Sequence, residues 1–125
     1  MNTLYSVSLS ALLSIALSTP LLALAGQHDA DFKQIQAASW QGDMKTLGTL
    51  SAALCKRADT RPEDAELGYV AAYADYRIAG AGQRDAQHNR AVISGAMARA
   101  QHRLEALAPQ ATPYQAEALA LLSSV

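Results

Sequence analysis

The 125-residue chain is poor in the residues that build covalent and metal-linked frameworks: it has one cysteine and three histidines. A single cysteine excludes an internal disulfide framework and any zinc or iron–sulfur centre that needs several thiolates. Charge of either sign is missing before Asp29. Over the whole chain 10 Lys and Arg face 11 Asp and Glu, a net charge of −1, which excludes the strong basic field of non-specific nucleic-acid binding. Val, Ile and Thr are scarce after the first 25 residues, which argues against strands. The sequence carries no Gly-rich phosphate loop, no Gly-x-Ser-x-Gly elbow, no His-Glu-x-x-His and no Cys-x-x-Cys-His. Its carboxylates fall on helix caps and exposed faces rather than in pairs, so no enzyme and no cofactor are expected.

What the leading segment does contain is Leu, Ser and Ala from Leu4 to Leu24, a helix breaker at Pro20, and the small-x-small run Ala23-Leu24-Ala25 before Gly26. This pattern predicts a signal peptide over 1–25, cleaved between Ala25 and Gly26, and a periplasmic or secreted mature chain over 26–125. The competing reading is an uncleaved membrane anchor. Five serines before Thr19, then Pro20, and the lack of a basic flank weigh against it, so no stable membrane insertion is expected after cleavage.

Alanine dominates the mature part, and alanine is the best helix former. The spacing of apolar residues predicts an all-α domain of five helices. Helix one runs from Asp29 to about Gln41 with Phe32, Ile35 and Ala38 inward and Trp40 beside them. Gly42 and Asp43 end it and cap the next. Helix two, Met44 to Ala58, carries Met44, Leu47, Leu54 and Ala58 inward, with Leu50 or Ser51 between. Thr60, Pro62 and Glu63 read as a capping box with Pro in the first turn of helix three, which runs to Ala79 on a stripe of Leu67, Val70, Ala71, Ala74 and Ile78. Gly80-Ala81-Gly82 reads as a flexible loop. Helix four follows from Asp85 or Asn89 to Ala108, with Ile93, Met97, Ala100, Leu104 and Leu107 on one face. A second capping box at Thr112 to Gln115 opens helix five. Short connections predict antiparallel neighbours, hence two helical hairpins and a terminal helix.

Particular residues within this pattern resemble tetratricopeptide (TPR) repeats. Trp40-Gln41-Gly42-Asp43 is similar to the turn between the two helices of a repeat, and Arg61 to Glu66 to the Pro-containing link between repeats. Leu67 to Arg77 aligns without gaps to a first repeat helix, Leu104 to Pro109 to the end of a second, and Ala116 to Ala118 to the start of another. Gly68 stands at the usual Trp position and Ala72 at the usual Gly, and 47 residues separate Pro62 from Pro109; the ordinary period is about 34. The resemblance implies an array of stacked hairpins that acts as a protein-binding scaffold, with a protein or peptide partner lying on a helical face and no catalytic residues.

Several residues are candidates for contact with that partner. Tyr69, Tyr73 and Tyr76 step along one side of helix three, about 100° from its apolar stripe. They form either a binding face or a packing face against helix one or helix five. Asp75 and Arg77 beside them hold a partner's polar groups or stay solvated. Arg99, His102 and Arg103 form a basic patch on helix four that is expected to face the acidic 59–66 segment. His88 and His102 lie 14 residues apart. That is about 21 Å along a helix, too far to share a metal. Cys55 reads as a small buried hydrophobe, with a disulfide-linked dimer as the alternative. A second functional reading follows from processing. Cleavage after Ala25 exposes Gly26-Gln27-His28, whose α-amine, two amide nitrogens and imidazole suit square-planar Cu(II) or Ni(II). On that reading the chain is a small periplasmic helical bundle that binds the metal.

Overall fold

A computed structural model describes residues 28–110 and 115–124. The signal-peptide segment and the expected capping box at Thr112 lie outside the described residues. Two compact units divide the chain, Met1–Ala30 and Asp31–Val125, and the second carries the fold. The described residues form five α-helices and no strand: α1 Asp29–Gln41, α2 Met44–Thr60, α3 Ala65–Gly82, α4 Arg90–Leu107 and α5 Gln115–Leu122, with a 3-10 turn at Gln83–Asp85. The protein is all-α.

The first connection forms as its residues dictate. Gly42 adopts φ +66°, a left-handed conformation that costs a side-chain-bearing residue far more. Asp43 then caps α2, accepting from the Thr46 N–H at 3.0 Å and from its hydroxyl at 2.6 Å. These bonds hold the Asp43 carboxyl below its ordinary pKa.

The second connection differs from the expectation. Thr60 is not a cap; it is the last residue of α2 and its hydroxyl donates back to the Arg57 carbonyl. Asp64 is the cap of α3, accepting from the Leu67 N–H at 3.0 Å. Pro62 sits in a turn closed by the Asp64 N–H and the Arg61 carbonyl, not in the first turn of the helix. The reason is local. Proline's fixed φ suits the second position of such a turn, and an aspartate follows at the correct distance to take over capping.

The third connection corrects a second expectation. Gly80-Ala81-Gly82 is helix, not loop. Gly82 is needed for close approach: a Cβ there would lie 2.8 Å from Cγ1 of Ile93 and 3.4 Å from Cβ of Asn89. Asn89 uses this proximity to donate to the Gly82 carbonyl at 3.2 Å.

The packing centres on α3, eleven of whose 18 residues are buried. One core joins α1, α2 and α3 through Ile35, Leu47, Leu54, Leu67, Val70 and Ile78. A second joins α3, α4 and α5 through Ala72, Ala100, Leu104, Leu107 and Ala118. Pairings along the helices set their directions. Asp31 meets Arg57, so α1 and α2 are antiparallel. Gly68 meets Leu107 and Gly82 meets Ile93, so α3 and α4 are antiparallel. Ser39 on α1 bonds Arg77 on α3 at a separation of 38 residues. Asp59 on α2 bonds Arg103 on α4 at a separation of 44. The first hairpin is therefore followed by a second in the same sense, which is compatible with a helical-repeat fold.

Candidate functional site

A groove of about 600 Å³ opens where the end of α1, the last turns of α3 and the first turns of α4 meet. Its walls carry Trp40, Tyr76, Arg77, Arg84, Ile93 and Met97. Trp40 is 80% exposed although it is the largest apolar side chain of the protein. Helical spacing exposes it: two residues past the buried Ala38, it is turned about 200° from the inward side of α1. Gly80 is part of the groove's lining, and a Cβ built there meets no atom within 4 Å. The backbone is bare at that point.

The cations of the groove are held through their guanidinium groups. Arg77 donates from Nε to the Ser39 hydroxyl at 2.9 Å, and its guanidinium carbon lies 5.9 Å from the centre of the Tyr73 ring, a cation–π distance. Arg84 lies against Gly42, in the space a side chain at that residue would occupy. Among the described residues the groove wall includes no carboxylate.

The four residues singled out for partner contact separate into two pairs. Tyr69 and Tyr73, both half-buried, pack their rings 6.0 and 5.5 Å from that of Phe32 on α1, and 6.5 Å from each other. Burial is the main cause that pushes the Tyr69 hydroxyl above its ordinary pKa, with the Glu117 charge second. Tyr76 and Arg77 line the groove instead. Reading the sequence did not single out Trp40, Arg84, Ile93 or Met97 as a site. The available signal was an aromatic placed off the apolar stripe of helix one.

A second polar cluster lies between α2, α3 and α4. Asp75 is fully buried, neither solvated nor offered to a partner. It accepts from the Ser51 hydroxyl at 2.6 Å, from the Cys55 thiol at 3.7 Å, and from Arg99 through Nε at 3.3 Å and a terminal nitrogen at 3.0 Å. The two-pronged Arg99 contact and the Ser51 bond make this a satisfied buried carboxylate, which such burial requires. Arg99 thus turns to Asp75 while Arg103 pairs with Asp59 at 3.1 Å, and His102 stays exposed. Cys55 is a free thiol, half-buried beside the same carboxylate. Burial and then the Asp75 charge raise its pKa, against a smaller opposite effect of Arg103. A protonated thiol is a weak nucleophile.

Among the described residues no three His, Cys, Asp or Glu side chains are grouped to hold a metal. His28 is described and buried, while Gly26 and Gln27 lie outside the described residues. No helix among the described residues is long and apolar enough to cross a membrane. The sequence matches no protein-family model, no curated protein and no solved structure.

Proposed function

We propose that the chain is an exported TPR-like scaffold that binds a segment of a partner protein in the groove beside Trp40 and catalyses no reaction. The observation that carries this reading is the exposed Trp40 at the rim of an open groove whose other walls are Tyr76, Ile93 and Met97. Exposed aromatic and Met side chains around a concavity mark interaction sites, because they offer large contact area at low ordering cost. The like-directed hairpins, with α1 beside α3 and α2 beside α4, support the TPR-like assignment. On this reading the contact surface is Tyr76 and Arg77 together with residues from the neighbouring helices.

The test is photo-crosslinking in cells that export the protein, with benzoylphenylalanine in place of Trp40. The expected result is a discrete adduct that disappears when Gly80→Phe fills the groove. An adduct pattern unchanged by Gly80→Phe would sink the reading. The mass of the exported chain checks its processing, with Gly26 as the expected first residue.

A further inference from the structure

We propose that the occupant of this groove is an acidic peptide segment, with one or two carboxylates flanking a large apolar side chain. The inference rests on the binding role proposed for the groove and adds the chemistry of the partner.

The first argument is the distribution of charge. Arg57, Arg99 and Arg103 each pair with a carboxylate on a neighbouring helix. Among the described residues, Arg61, Arg77, Arg84 and Arg90 pair with none, and of these Arg77 and Arg84 line one groove. The carboxylates nearest to them in sequence are already engaged. Asp75, two residues before Arg77, accepts from Ser51 and Arg99, and Asp85, next to Arg84, accepts from the His88 N–H. Two arginines that pair with no carboxylate thus share one groove, on a chain whose net charge is −1. Arginine binds carboxylates through paired N–H donors, so the complementary ligand group is a carboxylate.

The second argument is the remainder of the lining. Ile93 and the adaptable Met97 form an apolar wall, and Trp40 and Tyr76 supply aromatic faces with polar edges. An apolar side chain set between carboxylates meets both demands. The third argument is Gly80 in the groove lining, where the lack of a side chain leaves room for a ligand backbone. A narrow peptide can enter such a groove where a flat protein surface cannot. A single-stranded nucleic acid is the weaker candidate. It needs a basic track along its backbone, and this groove offers two cations.

The experiment selects displayed random dodecapeptides on the full chain, with Gly80→Phe as the counter-target. Synthetic copies of the enriched peptides are then titrated while the fluorescence of Trp40, the sole tryptophan, is followed. The expected consensus is Asp or Glu beside Leu, Met or an aromatic residue. Changing Glu to Gln in the peptide, or Arg84→Gln in the protein, should weaken binding about tenfold, the loss carried by one charge-assisted pair. Arg84→Glu should restore binding to peptides with Lys in place of Glu. That rescue separates a charge contact from damage to the fold. Enriched peptides that depend on the open groove but carry no acidic residue would overturn the acidic-segment inference and leave the scaffold reading standing. No enrichment over Gly80→Phe would overturn both. A polyuridine dodecamer that shifts Trp40 fluorescence as strongly as the best peptide would also overturn the inference.

Discussion

At the residue scale the protein's most consequential side chain is Asp75. Its carboxylate is fully buried, while 53% of the Arg99 side chain is exposed. The two partners therefore respond differently to removal. Arg99→Met leaves a carboxylate buried with only Ser51 and Cys55, and should cost about 3–5 kcal/mol. Asp75→Asn lets Arg99 return to water while an amide keeps part of the bonding, and should cost about 1–3 kcal/mol. Urea unfolding of the two variants checks the order. Asp75 was within reach of sequence reading, because it lies four residues after Ala71 and three before Ile78, both inward. A charge in an apolar stripe requires a partner. Which serine and which arginine supply it depends on how α2 and α4 lie against α3, and no local pattern encodes that. Cys55 gives a pH prediction. Its thiol pKa is raised in the folded protein above the ordinary 9.0. The folded state then holds the proton more tightly than the unfolded state, so this stabilising contribution is complete below about pH 9 and is lost as pH rises through the folded value. Tyr69 adds a similar loss at higher pH, starting from its ordinary 10.0. Stability measured from pH 8 to 11 should fall, and Cys55→Ala should remove the earlier part of the fall.

At the scale of the element the two glycines at the end of α3 make opposite demands. Gly80 faces open space, so Gly80→Ala should stabilise the helix by about 0.5–1 kcal/mol. Gly82 faces Ile93 at overlapping distance, so Gly82→Ala should destabilise by about 1–3 kcal/mol. Thermal melts of both variants decide the matter. The caps of α3 provide a similar contrast. Asp64→Ala should cost about 1 kcal/mol, whereas Thr60→Ala should change little because the Thr60 hydroxyl bonds only its own helix. The number and approximate span of the described helices were legible, since their apolar residues recur at helical spacing and Gly42 with Asp43 has one reasonable use. The end of α3 was not. A glycine that breaks a helix and a glycine that admits a neighbouring side chain look alike until the neighbour is known.

At the scale of the whole molecule, α3 joins two cores that otherwise share little. The first draws on α1, α2 and, through Ala96, the first half of α4, the second on the later part of α4 and on α5. Hydrogen exchange should accordingly be slowest in the middle of α3 and fastest in α5, an eight-residue helix with one buried residue. Comparable protection in α3 and α5 would contradict this picture. The hairpin architecture was readable because each helix had one apolar side. The groove was not, because Trp40, Arg77, Arg84 and Met97 come from three helices and a turn, and become neighbours only through the parallel placement of α1 and α3.

The crowding of α3 also bears on how such a chain can diverge over generations. An element with most of its residues enclosed, one of them the shared acceptor of a serine, a thiol and an arginine, tolerates few replacements without matching changes on two other helices. Among descendants of this sequence, α3 should drift least. The exposed rim at Trp40 and Arg84 is free to vary, and if it binds the proposed partner it should vary with that partner. Lineages that exchange one partner for another would then differ mainly along a strip of the surface, above an interior that still pairs Asp75 with Arg99.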